Sequence, residues 1–255
     1  MSVELLILGG TGEARALAAA LHAAGEHGFV SSLAGRVSAP ALPAGAVRIG
    51  GFGGVDGLRD WLRDEGITAV IDATHPFARR ISASAVAATK SLGLPLLVLR
   101  RPGWQAQPGD DWHRVPDMPA AAGALRDLPG PVLLTTGRGG LEVFAAAPHR
   151  FVIRTVDPPD GPLPTEHVLL LSRGPYALTD ERALLAEHGV RVLVTKDSGG
   201  NMTAAKLVAA RELGVTVVMV DRPPMPGAGR VSVVADVPGA LAWLRTNGLL
   251  HPDHR

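Results

Sequence analysis

The sequence predicts an α/β chain built as two parallel-sheet halves, and three observations carry that reading. Short, β-branched apolar runs recur along all 255 residues, most of them followed by an Ala/Leu-rich stretch of helical period. Such alternation implies right-handed βαβ units over a parallel sheet. The 31 Gly and 21 Pro fall between the apolar runs rather than in one tract, so they read as turns. The rhythm also breaks once, over 101–119, where four prolines, two glycines and two tryptophans suggest a linker.

In chain order, LLIL (5–8) is a strand leading into a helix over about 13–24, and FVSSL (29–33) and VRI (47–49) are the next two strands. A helix near 55–65 precedes TAVID (68–72), a helix over 78–92 follows it, and LPLLVL (94–99) ends the first half. After the linker come PVLLTT (131–136), a helix near 140–146, FVIRTV (151–156), HVLLLS (167–172) and a helix near 179–188. RVLVT (191–195), a helix over 202–213 and TVVMV (216–220) complete the second half. A last strand, VSVVA (231–235), and a helix over 237–246 could pack on either half. The expected domains are therefore 1–118, including the linker, and 119–255.

Composition narrows the function classes. With 25 basic and 24 acidic residues the net charge is +1, without the basic excess of a nucleic-acid binder. Cysteine is absent, which removes thiolate catalysis and any Cys-built metal site. No close His/carboxylate ligand pattern appears either, so no metal is expected. The start MSVELLILGG has no basic region before its apolar residues, and no apolar run reaches the roughly 18 residues of a membrane span. A soluble cytoplasmic protein is the expectation. Only three of the basic residues are Lys, at 90, 196 and 206, and a lysine kept in an Arg-rich chain hints at a site where the two are not interchangeable.

Ligands of open α/β sheets gather beyond the carboxyl ends of the strands. After the first strand, Gly10, Thr11, Gly12 and Glu13 open a helix, and the glycines would let backbone amides approach a phosphate. In this frame Arg15 stands where the fingerprint's third small residue belongs. After the second strand, where an acid would hold the ribose of NAD, stands Arg36. A cation there suits the 2′-phosphate of NADP, although a solvated surface Arg fits equally. Asp72, Thr74 and His75 follow another strand, where Asp72 and Thr74 could also simply cap a helix. Gly137, Arg138 and Gly139, then Arg173, Gly174 and Tyr176, then Lys196, Ser198, Gly199 and Gly200, repeat a glycine-rich exit with a cation and a hydroxyl. Each is apparatus for holding anions. Neither a GxSxG elbow nor a GxxxxGK[ST] loop is present.

Taken in order, GGTGEAR (9–15), GGFGG (50–54), DATHPFA (72–78), RPGW (101–104), TGRGG (136–140), SRGPY (172–176), TKDSGG (195–200), AAKLVAARELG (204–214) and VDRP (220–223) resemble the precorrin-6A reductase family of cobalamin biosynthesis. The resemblance spans about residues 3–225. It implies two Rossmann-like domains with a ligand cleft between them, NADPH as cofactor, and a tetrapyrrole substrate, precorrin-6A, reduced at one double bond to precorrin-6B. A related anaerobic branch acts on the cobalt-containing substrate. Under the resemblance Gly10, Thr11, Gly12, Glu13, Arg36, Thr74, His75, Gly137, Arg138 and Gly139 are candidates for the cofactor. Arg173, Gly174, Lys196, Ser198, Gly199 and Gly200 are candidates for the substrate. Lys196, His75 and Tyr176 are candidates to polarise the conjugated system or supply a proton, Lys196 foremost because an Arg could not usefully give one up. Rival readings are a cofactor-free enzyme of the uroporphyrinogen-III synthase type and a non-enzymatic NADP-binding sensor. Oligomeric state is left open.

Overall fold

The computed structural model describes residues 4–35 and 41–250. Its strands are β1 (Leu5–Leu8), β2 (Phe29–Leu33), β3 (Ala46–Ile49), β4 (Ala69–Asp72), β5 (Leu96–Leu99), β6 (Trp112–Val115), β7 (Val132–Leu134), β8 (Phe151–Thr155), β9 (His167–Leu171), β10 (Val192–Lys196), β11 (Thr216–Val220) and β12 (Ser232–Val234). The α-helices are α1 (Gly12–Ala23), α2 (Val55–Asp64), α3 (Arg79–Leu92), α4 (Met118–Ala124), α5 (Leu178–Glu187), α6 (Ala205–Glu212) and α7 (Val237–Thr246).

The strands form two six-stranded sheets, ordered β3-β2-β1-β4-β5-β12 and β9-β8-β7-β10-β11-β6, with every pairing parallel. Each sheet thus has the 3-2-1-4-5-6 order of a doubly wound nucleotide-binding fold. The sixth places are exchanged: β6 follows β5 in the chain yet pairs with β11, and β12 follows β11 yet pairs with β5.

Alternation along β1 explains the apolar runs. Leu5 and Ile7 face α1 and α7, meeting Leu17, Leu21, Ala240 and Leu244. Leu6 and Leu8 face α2 and α3, meeting Leu58, Leu62, Ala85 and Ala88. A strand covered on both faces has no polar side to show, so it reads as a continuous apolar run.

Two compact units result, one of residues Met1–Pro102 with Pro224–Arg255, the other Gly103–Pro223. The expected halves, 1–118 and 119–255, differ from this division because the two edge strands pair away from their sequence neighbours. The expected linker holds β6 and leads into α4, whose N-cap Asp117 accepts from the Ala120 amide at 2.8 Å. The helix expected near 140–146 is a 3-10 turn, Leu141–Phe144, and that expected over 202–213 begins at Ala205. No helix among the described residues is long and apolar enough to cross a membrane.

Candidate active site

In the first unit the polar strand ends meet between β1 and β4, where the strand order reverses. Thr11 caps α1, accepting from the Ala14 amide at 3.1 Å, while its own hydroxyl donates to the Ala73 carbonyl at 2.7 Å across the two strand exits. Gly10 adopts φ +107°, which favours glycine, and a Cβ there would point into open space. A Cβ on Gly9 would lie 3.5 Å from the methyl of the buried Ala14, an ordinary contact distance. Glu13 lies in the first helical turn and is ion-paired with Arg101, which offsets the acid's charge at a helix end otherwise suited to an anion.

Asp72 ends β4 and is buried. Its carboxylate accepts from the Thr74 amide at 3.0 Å and the Thr74 hydroxyl at 2.6 Å, an Asx turn that fixes the DATHPFA exit. His75 accepts at Nδ1 from the Phe77 amide, 3.3 Å away. Thr74, His75, Arg79, Ser82 and Arg100 line a small pocket here, closed on one side by Pro224, Met225 and Pro226 from the returning segment of the same unit. Arg36 lies outside the described residues. A cation that the sequence reading missed, Arg48, donates to the Gly50 carbonyl at 2.7 Å and the Gly51 carbonyl at 2.8 Å, with its guanidinium 3.8 Å over the Phe52 ring. It orders the GGFGG loop, and burial pulls its pKa down.

The second unit repeats the arrangement between β7 and β10. Lys196 ends β10, and its ammonium donates to the Thr136 carbonyl at 2.7 Å, tying the two exits together. Burial lowers its pKa. The neighbouring Thr136 hydroxyl is buried with no hydrogen-bond partner among the described residues, and Gly137 and Gly140 take φ of +79° and +85°. Arg138 is half-buried and lies 3.9 Å from the exposed Asp160, a loose surface pairing.

Asp197, which the reading passed over, holds this loop. Its carboxylate accepts from the Trp104 amide at 2.9 Å and from Arg114 at 3.1 Å, and lies 3.7 Å from Arg222, whose Nε donates to the Asp197 carbonyl at 2.8 Å. The Trp104 indole donates to the Gly200 carbonyl at 2.9 Å. The stretches RPGW, TKDSGG and VDRP therefore converge on one buried carboxylate. The residue types were in the chain, an Asp between a kept Lys and a Ser-Gly-Gly run, but its partners lie up to 93 residues away.

Beyond β9, the Tyr176 hydroxyl donates to the Ser172 carbonyl at 2.9 Å, and its ring lies 3.9 Å under the Arg154 guanidinium. Arg154 in turn donates to Glu181 at 2.9 Å, both buried. Arg173 is exposed. A Cβ on Gly174 would stand 3.5 Å from the Met202 carbonyl, which brings the β9 exit against the loop after β10. The predicted residues thus form two groups, Gly10, Thr11, Gly12, Glu13, Thr74 and His75 in the first unit and the remainder, Arg36 apart, in the second. No group of three or more His, Asp or Glu able to hold a metal occurs among the described residues.

Residues 4–245 match the family described as Precorrin-6x reductase CbiJ/CobK. A Precorrin-6A reductase of Rhodococcus erythropolis is 54% identical over 95% of this chain and 98% of its own. A Precorrin-6A reductase of Mycobacterium tuberculosis (strain CDC 1551 / Oshkosh) is 54% identical over 94% and 97%. The solved structure of a CobK precorrin-6A reductase superposes with a TM-score of 0.90 at 44% identity, covering 96% of this chain and 97% of that one.

Proposed function

The chain belongs to the Precorrin-6x reductase CbiJ/CobK family, and from that premise we propose that it reduces one double bond of the precorrin-6A macrocycle, giving precorrin-6B in cobalamin biosynthesis, with NADPH as the reductant. The nicotinamide, when bound, supplies the hydride. The chain's own residues bind, orient and manage a proton.

The first unit's β1 exit fits a nucleotide phosphate, because the space beside Gly10 is open and α1 begins two residues on, at Gly12. Preference for NADP over NAD rests on Arg36, which follows β2 in sequence and offers a cation to a 2′-phosphate. Thr74 and His75 border the same strand exits. In the second unit Gly137, Arg138 and Gly139 are further candidates for the cofactor, and Arg173, Gly174, Lys196, Ser198, Gly199 and Gly200 offer amides and cations to the many carboxylates of a precorrin.

Reduction places hydride on one carbon and requires a proton on its neighbour. The observation that carries the reading of the chemistry is the partly buried Lys196 ammonium at the sheet's reversal point, with a lowered pKa. Such a group polarises a conjugated system and yields a proton more readily than an exposed lysine. The Tyr176 proton is engaged by the Ser172 carbonyl, which favours Lys196 over Tyr176.

Following loss of the cofactor's near-ultraviolet absorbance with precorrin-6A tests the reading. Turnover faster with NADPH than with NADH and a product two hydrogens heavier are expected; NADPH binding without oxidation identifies a sensor instead. Lys196→Met should lower kcat about 100-fold or more with unchanged NADPH affinity. The alkaline limb of the wild-type kcat profile should fall below the range of an ordinary lysine, since the acid form is lost as pH rises through a lowered pKa. Near-normal turnover of the variant would remove Lys196 from the mechanism.

A further inference from the structure

Lys206 is the second residue of α6 and is only 4% exposed, among helix neighbours Leu207, Ala209 and Ala210 that are buried and apolar. An apolar side chain would fill such a place without the cost of desolvating an ammonium. Its Nζ lies 5.2 Å from the centre of the Trp104 ring, within the range of a cation–π contact. Trp104 reaches the loop after β10 at two points, by its amide to Asp197 and by its indole to Gly200. That loop follows Lys196 directly.

We propose that Lys206 is a positioning residue for the reaction: its ammonium holds the Trp104 indole in place, and the indole holds the loop 197–200, the glycine-rich exit that follows directly on Lys196. The groups facing Lys206 from the elements around it are Arg154 of β8 and Glu181 of α5. These two pair at 2.9 Å, and the second Glu181 oxygen is buried without a hydrogen-bond partner among the described residues. Burial and the Arg154 charge lower the Lys206 pKa to about 7, Glu181 opposing. The positioning contact is therefore made in the acid half of the neutral range and released above it.

The kinetic part of the test rests on the reductase reading; the optical part does not. In a double-mutant cycle of Lys206→Met and Trp104→Phe, each single change lowers kcat about tenfold with little change in the KM for NADPH, and the double variant is no slower than the slower single one. If the losses multiply, or if Lys206→Met keeps kcat within about twofold, the proposal is overturned. Independently, the difference in tryptophan emission between wild type and Trp104→Phe titrates with a midpoint near 7, and Lys206→Met abolishes that titration. A wild-type difference that stays flat across neutral pH overturns the proposal even if the Lys206 variant does not fold. A titration that survives in Lys206→Met overturns it as well. A silent reductase assay with the expected emission change would reject the activity and leave the contact standing.

Discussion

Asp197 puts a charge where a hydrophobic sheet end would otherwise close, and three polar groups from distant segments, the Trp104 amide, Arg114 and Arg222, are spent on it. A buried carboxylate survives only when its charge is matched and its lone pairs are used. Gly103 shows how tightly the partners are drawn in: a Cβ there would stand 2.6 Å from the Asp197 carboxylate. Gly103→Ala must push Trp104 away, so it should destabilise the second unit by about 1–3 kcal/mol and raise the KM for the macrocycle. Asp197→Asn keeps the acceptor for the Trp104 amide but removes the negative charge that Arg114 and Arg222 face, and should cost a similar amount. Denaturant midpoints read both; an unchanged midpoint for Gly103→Ala would mean that the loop yields freely. None of this was legible from spacing alone. RPGW, TKDSGG and VDRP stand apart in the chain, and only the pairing of β10 with β11 brings the last two side by side.

The two strand exits at the reversal points show what was legible at the scale of an element. In each, a polar side chain of one exit donates to a carbonyl of the other: Thr11 to Ala73 in the first sheet, Lys196 to Thr136 in the second. Glycines, hydroxyls and cations in short clusters after apolar runs marked both places, because burial on two faces makes a central strand read as uniform and its end as abrupt. The weaker elements escaped for the converse reason. β6, with the sequence WHRV, has two exposed polar residues and sits at a sheet edge, so neither apolar length nor alternation announces it. Thr11→Val removes the cap and the cross-strand bond together. It should lower stability by about 1–2 kcal/mol and weaken NADPH binding, leaving the KM for the macrocycle near its wild-type value. Equal losses for both ligands would place the cofactor elsewhere.

At the scale of the whole molecule, the exchanged sixth strands leave the two units unequal in covalent terms. All six strands of the second sheet come from Gly103–Pro223, one continuous stretch. The first unit is interrupted: five strands come before residue 102, and β12 and α7 arrive only after 224. What arrives late is central to its packing. Ala240 and Leu244 are fully buried against Ile7, Leu17 and Leu97, and β12 covers the edge of β5 through Ser232–Val234. Without them, one face of the sheet keeps only α1 as cover and an apolar edge is open, the condition under which strands pair with other chains. A fragment of residues 103–223 should therefore unfold in one cooperative transition. A fragment of 1–102 should aggregate or lack a cooperative transition, and should regain one when 224–250 is joined to it by a flexible linker. Loss of the buried Ala240 and Leu244 contacts together with β12 is heavy relative to a domain's net stability of about 5–15 kcal/mol, so the difference should be all or none. A cooperative transition for 1–102 alone would mean that the returning segment only decorates a finished domain.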